Sequence, residues 1–362
     1  MNLNLLSDNF EMLADAPDGV PKLREMILQL AVRGKLVAQN PDDEPASALL
    51  EKIKAEKRQL IKEKAIRKTK SLPRITISEL PFKLPDQWEW VRLGAVGFTQ
   101  TGTTPSKSNP AFFGQYIPFI KPGDISENHI NYYNEGLSKE GLIKGRLIDK
   151  DSIVMVCIGG SIGKTNFVDR SCSCNQQINT LTPFLNISHK LLAYFMRSRY
   201  FQEEVFKRAP KTTLPILSKG KWELIPIALP PSDEQKRIVT KVDQLMSLCD
   251  ELEIRKQKRD KIHIALNDAA LDKLLSAKTP KTFTKHWQRI RRNFDLLYDN
   301  PENVSKLRQA ILQLAVQGKL VPQNPDDEPA SVLLEKIKAE KERLIKAKKI
   351  RKMKPFASIK KD

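Results

Sequence analysis

Residues 158–165 read Ile-Gly-Gly-Ser-Ile-Gly-Lys-Thr, a set of glycines, a lysine and a hydroxyl that could cradle a phosphate. A phosphate-binding loop of that kind needs a glycine five positions before the glycine of its Gly-Lys-Thr. Five before Gly163 stands Ile158, and the NFVDRSCSCNQQ that follows lacks the period of an amphipathic helix. The spacing therefore argues against nucleotide hydrolysis. Asn109-Pro110-Ala111-Phe112 is near the Asn-Pro-Pro-aromatic loop that holds an adenine for methylation, but Ala111 replaces the second proline. Gly94, Gly97 and Gly102 are not spaced as a glycine-rich turn for S-adenosylmethionine. Asp149 and Asp151 could begin a metal-dependent nuclease site, which needs carboxylates gathered around an ion, but nothing like Glu-x-Lys follows them. No Ser/His/Asp set is evident from order and spacing. Of the four cysteines only Cys172 and Cys174 are near each other, too near for a zinc knuckle, and Cys157, Cys249 and the four histidines are scattered. Reduced thiols and no structural metal are expected.

What remains are polar loops suited to gripping rather than reacting. Thr101, Thr103, Thr104, Ser106 and Lys107 form a hydroxyl-rich stretch. Lys121 opens a Lys-Pro-Gly-Asp turn, and Ser161 and Lys164 flank Gly163. Asn175, Gln176 and Gln177 offer three amides, and Arg208, Lys211 and Thr212 add cations and a hydroxyl. Lys and Arg bind phosphates and guanine edges, while Asn and Gln suit adenine. Any one of these loops alone reads more readily as an ordinary surface turn. Five of them in one basic chain favour reading a nucleic-acid groove. The chain has 62 Lys and Arg against 43 Asp and Glu, a net charge of +19, and such an excess attracts polyanions, nucleic acid first. The N-terminus lacks the basic and apolar regions of a signal peptide, and no run of eighteen apolar residues exists. A cytoplasmic protein with no membrane partner is expected.

The loops lie in residues 71–230, where aromatics, Gly, Thr, Asn and Pro rise and apolar runs shorten. The runs predict strands over 88–93, 116–120, 152–157, 178–183 and 224–229, with one helix over 189–208. This is an α+β module with a mostly-β core and 19 basic against 13 acidic residues. Two near-copies of one helical element flank it. Residues 22–70 and 306–354, offset by 284, agree at 39 of 49 positions. Each copy predicts two helices around a QNPDDEP turn, with Gly34 suited to the first helix end. The second helix carries a narrow apolar stripe that asks for a partner helix. After Pro230-Pro231, Ser232 and Gln235 have the spacing of a capping box. Ile238, Val242, Leu245, Cys249 and Leu252 then recur at alternating steps of four and three, the seam of a coiled coil. Spacing alone fits a bundle helix equally; the length, roughly 68 Å for residues 232–276, and the surface charge favour the coiled coil. The predicted organisation is a helical region over 1–70, a recognition module over 71–230, a spacer helix over 231–280, a basic linker over 281–303 and a second helical region over 304–362.

At this point the chain resembles the specificity subunit of Type I restriction–modification systems. The likeness lies in LPDQWEWVRLG (84–94), TGTTPSKSNPAFFGQYIPFIKPGDI (101–125), GSIGKTNFVDRSCSCNQQINTLTP (160–183), LPILSKGKWELIPIALPPSDEQKRIVTKVDQLM (214–246) and the repeated KLRxxILQLAVxGKLVxQNPDDEPAS. The resemblance implies recognition domains held apart by long helices that pair as an antiparallel coiled coil. It implies double-stranded DNA as ligand and no catalysis by this chain. Modification subunits would bring S-adenosylmethionine and methylate adenine N6; restriction subunits would bring ATP, Mg and cleavage. The family usually carries two recognition domains, and residue 362 falls where a second would begin. The expectation is a half-subunit or truncated product, two copies of which could pair through their helices and read inverted half-sites. Two other readings compete: a self-sufficient DNA methyltransferase or nuclease, and a coiled-coil interaction protein that binds nucleic acid without sequence preference.

Overall fold

Leu23, Ile27, Leu30 and Ala31 fall on one face of a helix, and the chain buries all four. The computed structural model describes residues 9–68, 70–185, 187–209 and 214–352. They form two compact units divided between Lys256 and Gln257. The first unit opens with α1 (Phe10–Asp15), α2 (Gly19–Val32) and α3 (Ala46–Lys62). α2 ends as the sequence predicts: Gly34 has φ +64°, and the Lys35 amide returns to the Leu30 carbonyl at 2.9 Å. A residue without Cβ adopts that conformation cheaply, and here a Cβ would also meet Pro85 at 2.5 Å.

The recognition module contains β1 (Glu89–Arg92), β2 (Gly97–Thr101), β3 (Phe113–Ile120), β4 (Gly136–Leu137), α4 (Lys139–Lys144), β5 (Ile153–Val156), β6 (Thr165–Phe167), β7 (Ser173–Cys174), β8 (Ile178–Pro183), α5 (His189–Arg197), α6 (Arg199–Arg208), α7 (Lys219–Glu223) and β9 (Pro226–Leu229). An antiparallel sheet has the order β2-β8-β5-β6, a smaller one runs β4-β3-β7 with β3 and β7 parallel, and β1 pairs with β9. β5 is apolar at every position because it is covered on both faces. Ile153 and Met155 enter the large core shared with α2, α3 and α5, whereas Val154 and Val156 enter a second core with Ile120, Ile148 and Ile178. The five strands predicted from apolar runs coincide with β1, β3, β5, β8 and β9. β2, β4, β6 and β7 are short or polar and carry no such run. The single helix expected over 189–208 is two, because Ser198 leaves helical geometry at ψ 148° and caps α6.

α8 (Ser232–Leu275) is the long spacer helix. Ile238, Val242 and Cys249 are fully buried, Leu252 is nearly so, and Leu245 packs against the same core. Arg24 binds Asp250 at 2.5 Å and Glu253 at 3.2 Å, Lys256 reaches the Asp15 carbonyl at 3.1 Å, and Gln39 reaches Glu234 at 2.6 Å. Numbers rise on one side as they fall on the other, so the pairing is antiparallel. The predicted seam at residues 238–252 is thus filled by the chain's own first helical copy. The capping box differs. Gln235 is buried, its amide donates to the Pro230 carbonyl and its oxygen accepts from the Ser188 amide, so it braces the module instead of returning to Ser232.

In the second unit the distal part of α8 packs Leu271 and Leu274 with Ile290, Leu297, Leu307, Ala310 and Leu314. These belong to α9 (Pro280–Arg292), α10 (Phe294–Leu297) and α11 (Pro301–Val316); α12 (Ala330–Lys346) follows. The stretch read as a basic linker is therefore largely helical. Thr279 caps α9, Pro280 stands at its first turn, and Phe283, Trp287 and Ile290 share one face. Lys306 binds Asp268 at 2.8 Å, and Asn303 reaches the Leu297 carbonyl at 2.7 Å.

Candidate nucleic-acid interface

Gly102 is the pivot of the site. Its amide donates to the Ile178 carbonyl at 3.0 Å, and the Thr103 amide donates to the Cys174 carbonyl at 2.9 Å. A Cβ at position 102 would lie 2.2 Å from the Asn175 carbonyl oxygen, so only glycine lets these two segments lie against each other. Thr104 then donates to the Gln176 side chain at 2.6 Å. The amide of Asn175 bonds the Ile120 carbonyl at 3.2 Å, which brings Lys121 beside it. From the other side the Cys157 amide donates to the Gln177 carbonyl at 2.8 Å, and the Gly159 amide donates to the Pro215 carbonyl at 3.0 Å. Loops 101–108, 121–124, 158–164, 174–177 and 214–216 therefore meet in one neighbourhood, though they are far apart in sequence.

Within this neighbourhood the side chains divide by availability. Lys107 and Lys164 are exposed and have no ion-pair partner among the described residues. Ser106 is exposed and shares a 2.7 Å hydrogen bond with Ser108; Thr103 and Ser161 are half-buried. Gln176 is exposed. Residues 158–164 join β5 to antiparallel β6, with no helix after them; Gly159 and Gly163 have φ +93° and +92°. That turn presents Lys164 but has no helix N-terminus to cradle a nucleotide's phosphates.

Residues 85–263 match the family model described as Type I restriction modification DNA specificity domain. Residues 85–263 belong to that family. The chain is 35% identical over 357 residues to the Type I restriction enzyme EcoAI specificity subunit of Escherichia coli, covering 94% of this chain and 59% of that one. It is also 35% identical over 362 residues to the EcoEI specificity subunit of Escherichia coli, covering 95% and 59%. The chain thus spans about three-fifths of the length of these relatives. The crystal structure of the HsdS subunit from Thermoanaerobacter tengcongensis is similar at 20% identity and a TM-score of 0.41, over 65% of this chain and 50% of that one.

The specificity domain uses other expected contact residues internally. Asn175 is buried; its amide donates to Gln177 at 2.9 Å and its oxygen accepts from the Gln177 backbone at 3.1 Å. Thr101 ends β2 and donates to Asn179 at 2.8 Å. Lys121 is paired with Glu135, and Arg208 with Glu204. These four hold the loops more directly than they face outward. Lys211 and Thr212 lie outside the described residues.

The chain also gathers groups that no linear pattern signals. Lys57, Arg67, Lys70 and Lys219 surround a cleft of about 390 Å³ floored by Phe98 and Phe184. Lys57 stands on α3 at this cleft. It is half-buried 5.9 Å over the Phe184 ring, and burial, aided by Lys219, pushes its ammonium below the usual range. Tyr116 is exposed beneath the Lys139 ammonium, and Tyr133 is 85% exposed. All four cysteines are buried thiols, and burial pushes Cys157 and Cys172 up to about 12. Among the described residues no three His, Cys, Asp or Glu side chains gather to hold a metal ion, and no helix is long and apolar enough to cross a membrane.

Proposed function

We propose that this chain is a sequence-reading subunit of a Type I restriction–modification assembly and performs no chemistry itself. It docks double-stranded DNA through the loop cluster around Gln176. It thereby directs adenine-N6 methylation by modification subunits and ATP-dependent cleavage by restriction subunits in the cytoplasm. S-adenosylmethionine, ATP and Mg belong to those partners. The observation that carries this reading is the meeting of loops 101–108, 158–164 and 174–177, in which Lys107 and Lys164 are exposed without an ion-pair partner among the described residues and the amide of Gln176 is exposed. Cations without internal partners bind phosphate, and an exposed amide can exchange paired hydrogen bonds with an adenine edge.

The test is selection of the purified chain, alone and with modification subunits, on a pool of randomised duplexes. One enriched sequence family is expected, with affinity that falls steeply as salt rises. Equal retention of all duplexes under both conditions would overturn the reading.

A further inference from the structure

Lys281, Lys285, Arg289 and Arg292 follow one another along α9 at steps of four, four and three residues. At the helical repeat they share a stripe about 80° wide and about 16 Å long. All four are exposed. Phe283 and Ile290 lie on the opposite side and pack with Leu271, Leu274, Leu297 and Leu307. Packing therefore fixes which side of the helix faces solvent, and it is the cationic side. The stripe has no neutralising acid close in sequence: from Lys273 to Phe294 the chain carries seven Lys and Arg and neither Asp nor Glu. Nor do the four cations have an ion-pair partner among the described residues. Other helices of the chain interleave their charges. On α3 Lys54 pairs with Glu51 at 2.7 Å, and on α12 Arg343 pairs with Glu340 at 2.7 Å.

Like charges four residues apart repel and weaken a helix, and Lys281 stands in the first turn, where the helix dipole also opposes a cation. A polyanion laid along the stripe relieves both. Duplex DNA carries one charge per about 1.7 Å of its axis, so a stripe of this length faces about ten phosphates. Lys and Arg grip phosphate without reading bases. An anionic lipid surface fits less well. A basic amphipathic helix enters lipid through its apolar face, and here that face is packed in the core.

We infer that α9 is a second site for duplex DNA, on a different unit from the reading loops, that holds any duplex by its phosphates whatever the sequence. Contacts of this kind let a protein slide and hop along DNA, so a duplex stays with the molecule while its sequence is tried. The inference rests on the proposed function only for the choice of DNA as the polyanion.

The test uses a duplex of scrambled sequence, to which base reading contributes nothing, so either claim can fail alone. Lys281→Gln, Lys285→Gln, Arg289→Gln and Arg292→Gln together should lower the slope of log K against log salt by about 3. A reference chain with Lys338→Gln, Lys341→Gln, Lys346→Gln and Lys348→Gln loses the same charge from exposed positions of the second helical copy. A slope that falls no further in the stripe variant than in the reference chain overturns the inference. So does binding of the parent chain to phosphatidylserine vesicles with none to the duplex. The parent chain also supplies a measurement that needs no variant. Saturating duplex at low salt should slow acylation of Lys281 and Lys285 about tenfold, read by peptide mass. Unchanged reactivity of both overturns the inference.

Discussion

Asn175 and Gln176 are neighbours with the same chemistry and opposite duties. Asn175 is buried and spends both ends of its amide on Gln177, while Gln176 is exposed and its side-chain oxygen accepts from Thr104. The sequence marks both as candidates to read adenine. It cannot divide them, because the division depends on Gly102 lying against the 174–175 backbone from a segment some seventy residues away. Gln176→Ala should therefore shift sequence preference, by about 1–3 kcal/mol at one base pair if the amide pairs with an adenine edge. Comparison of binding to single-base variants of the selected duplex checks this. Lys164→Ala should weaken binding to all duplexes alike and reduce the slope of log K against log salt by about 1. If Lys164→Ala changes base preference instead, the division of labour is wrong.

Elements were legible where a local apolar run specified them, as in β5, and missed where the tertiary setting did. Ser198 shows the difference. In sequence it interrupts nothing, but its hydroxyl donates to the Phe195 carbonyl at 2.6 Å while its oxygen accepts from Phe201, splitting one expected helix into two. Ser198→Ala removes a buried cap and should lower stability by about 1–2 kcal/mol, read as a lower melting temperature. The segment entering β1 depends on an ion pair. Arg92 is buried and binds Glu79 at 2.6 and 2.9 Å, and with help from the Thr76 amide it holds the Glu79 carboxyl down at about 2. The folded value lies below the unfolded one, near 4.3, so the stabilisation is complete above that value and is lost as pH falls toward 2. Glu79→Gln should cost about 2 kcal/mol at neutral pH, with the difference from the parent chain shrinking between about pH 5 and pH 2. Denaturant unfolding of both chains across that range checks the sign.

At the scale of the molecule, the duplicated helical element and the basic surplus were readable at once, because identity at a fixed offset and net charge need no coordinates. What covers each copy was not readable. The four-three seam of the spacer helix predicts a partner helix, and the partner is the first helical copy of the same chain, tied to it by Arg24, Gln39 and Lys256. The basic stretch after it hid a helix because only Phe283, Trp287 and Ile290 mark its inner face. The first part of the spacer helix and the first helical copy share one core with the module that carries the polar loops, and no complete catalytic set is found in the sequence. The central claim is that this chain chooses the DNA sequence on which other subunits act. Its most direct measurement is a plasmid-wide map of adenine methylation in cells carrying modification subunits with and without this chain. Methylation at one defined sequence, present only with the chain and redirected by changes at Gln176, is the predicted result; the same methylated sites in its absence would contradict the account.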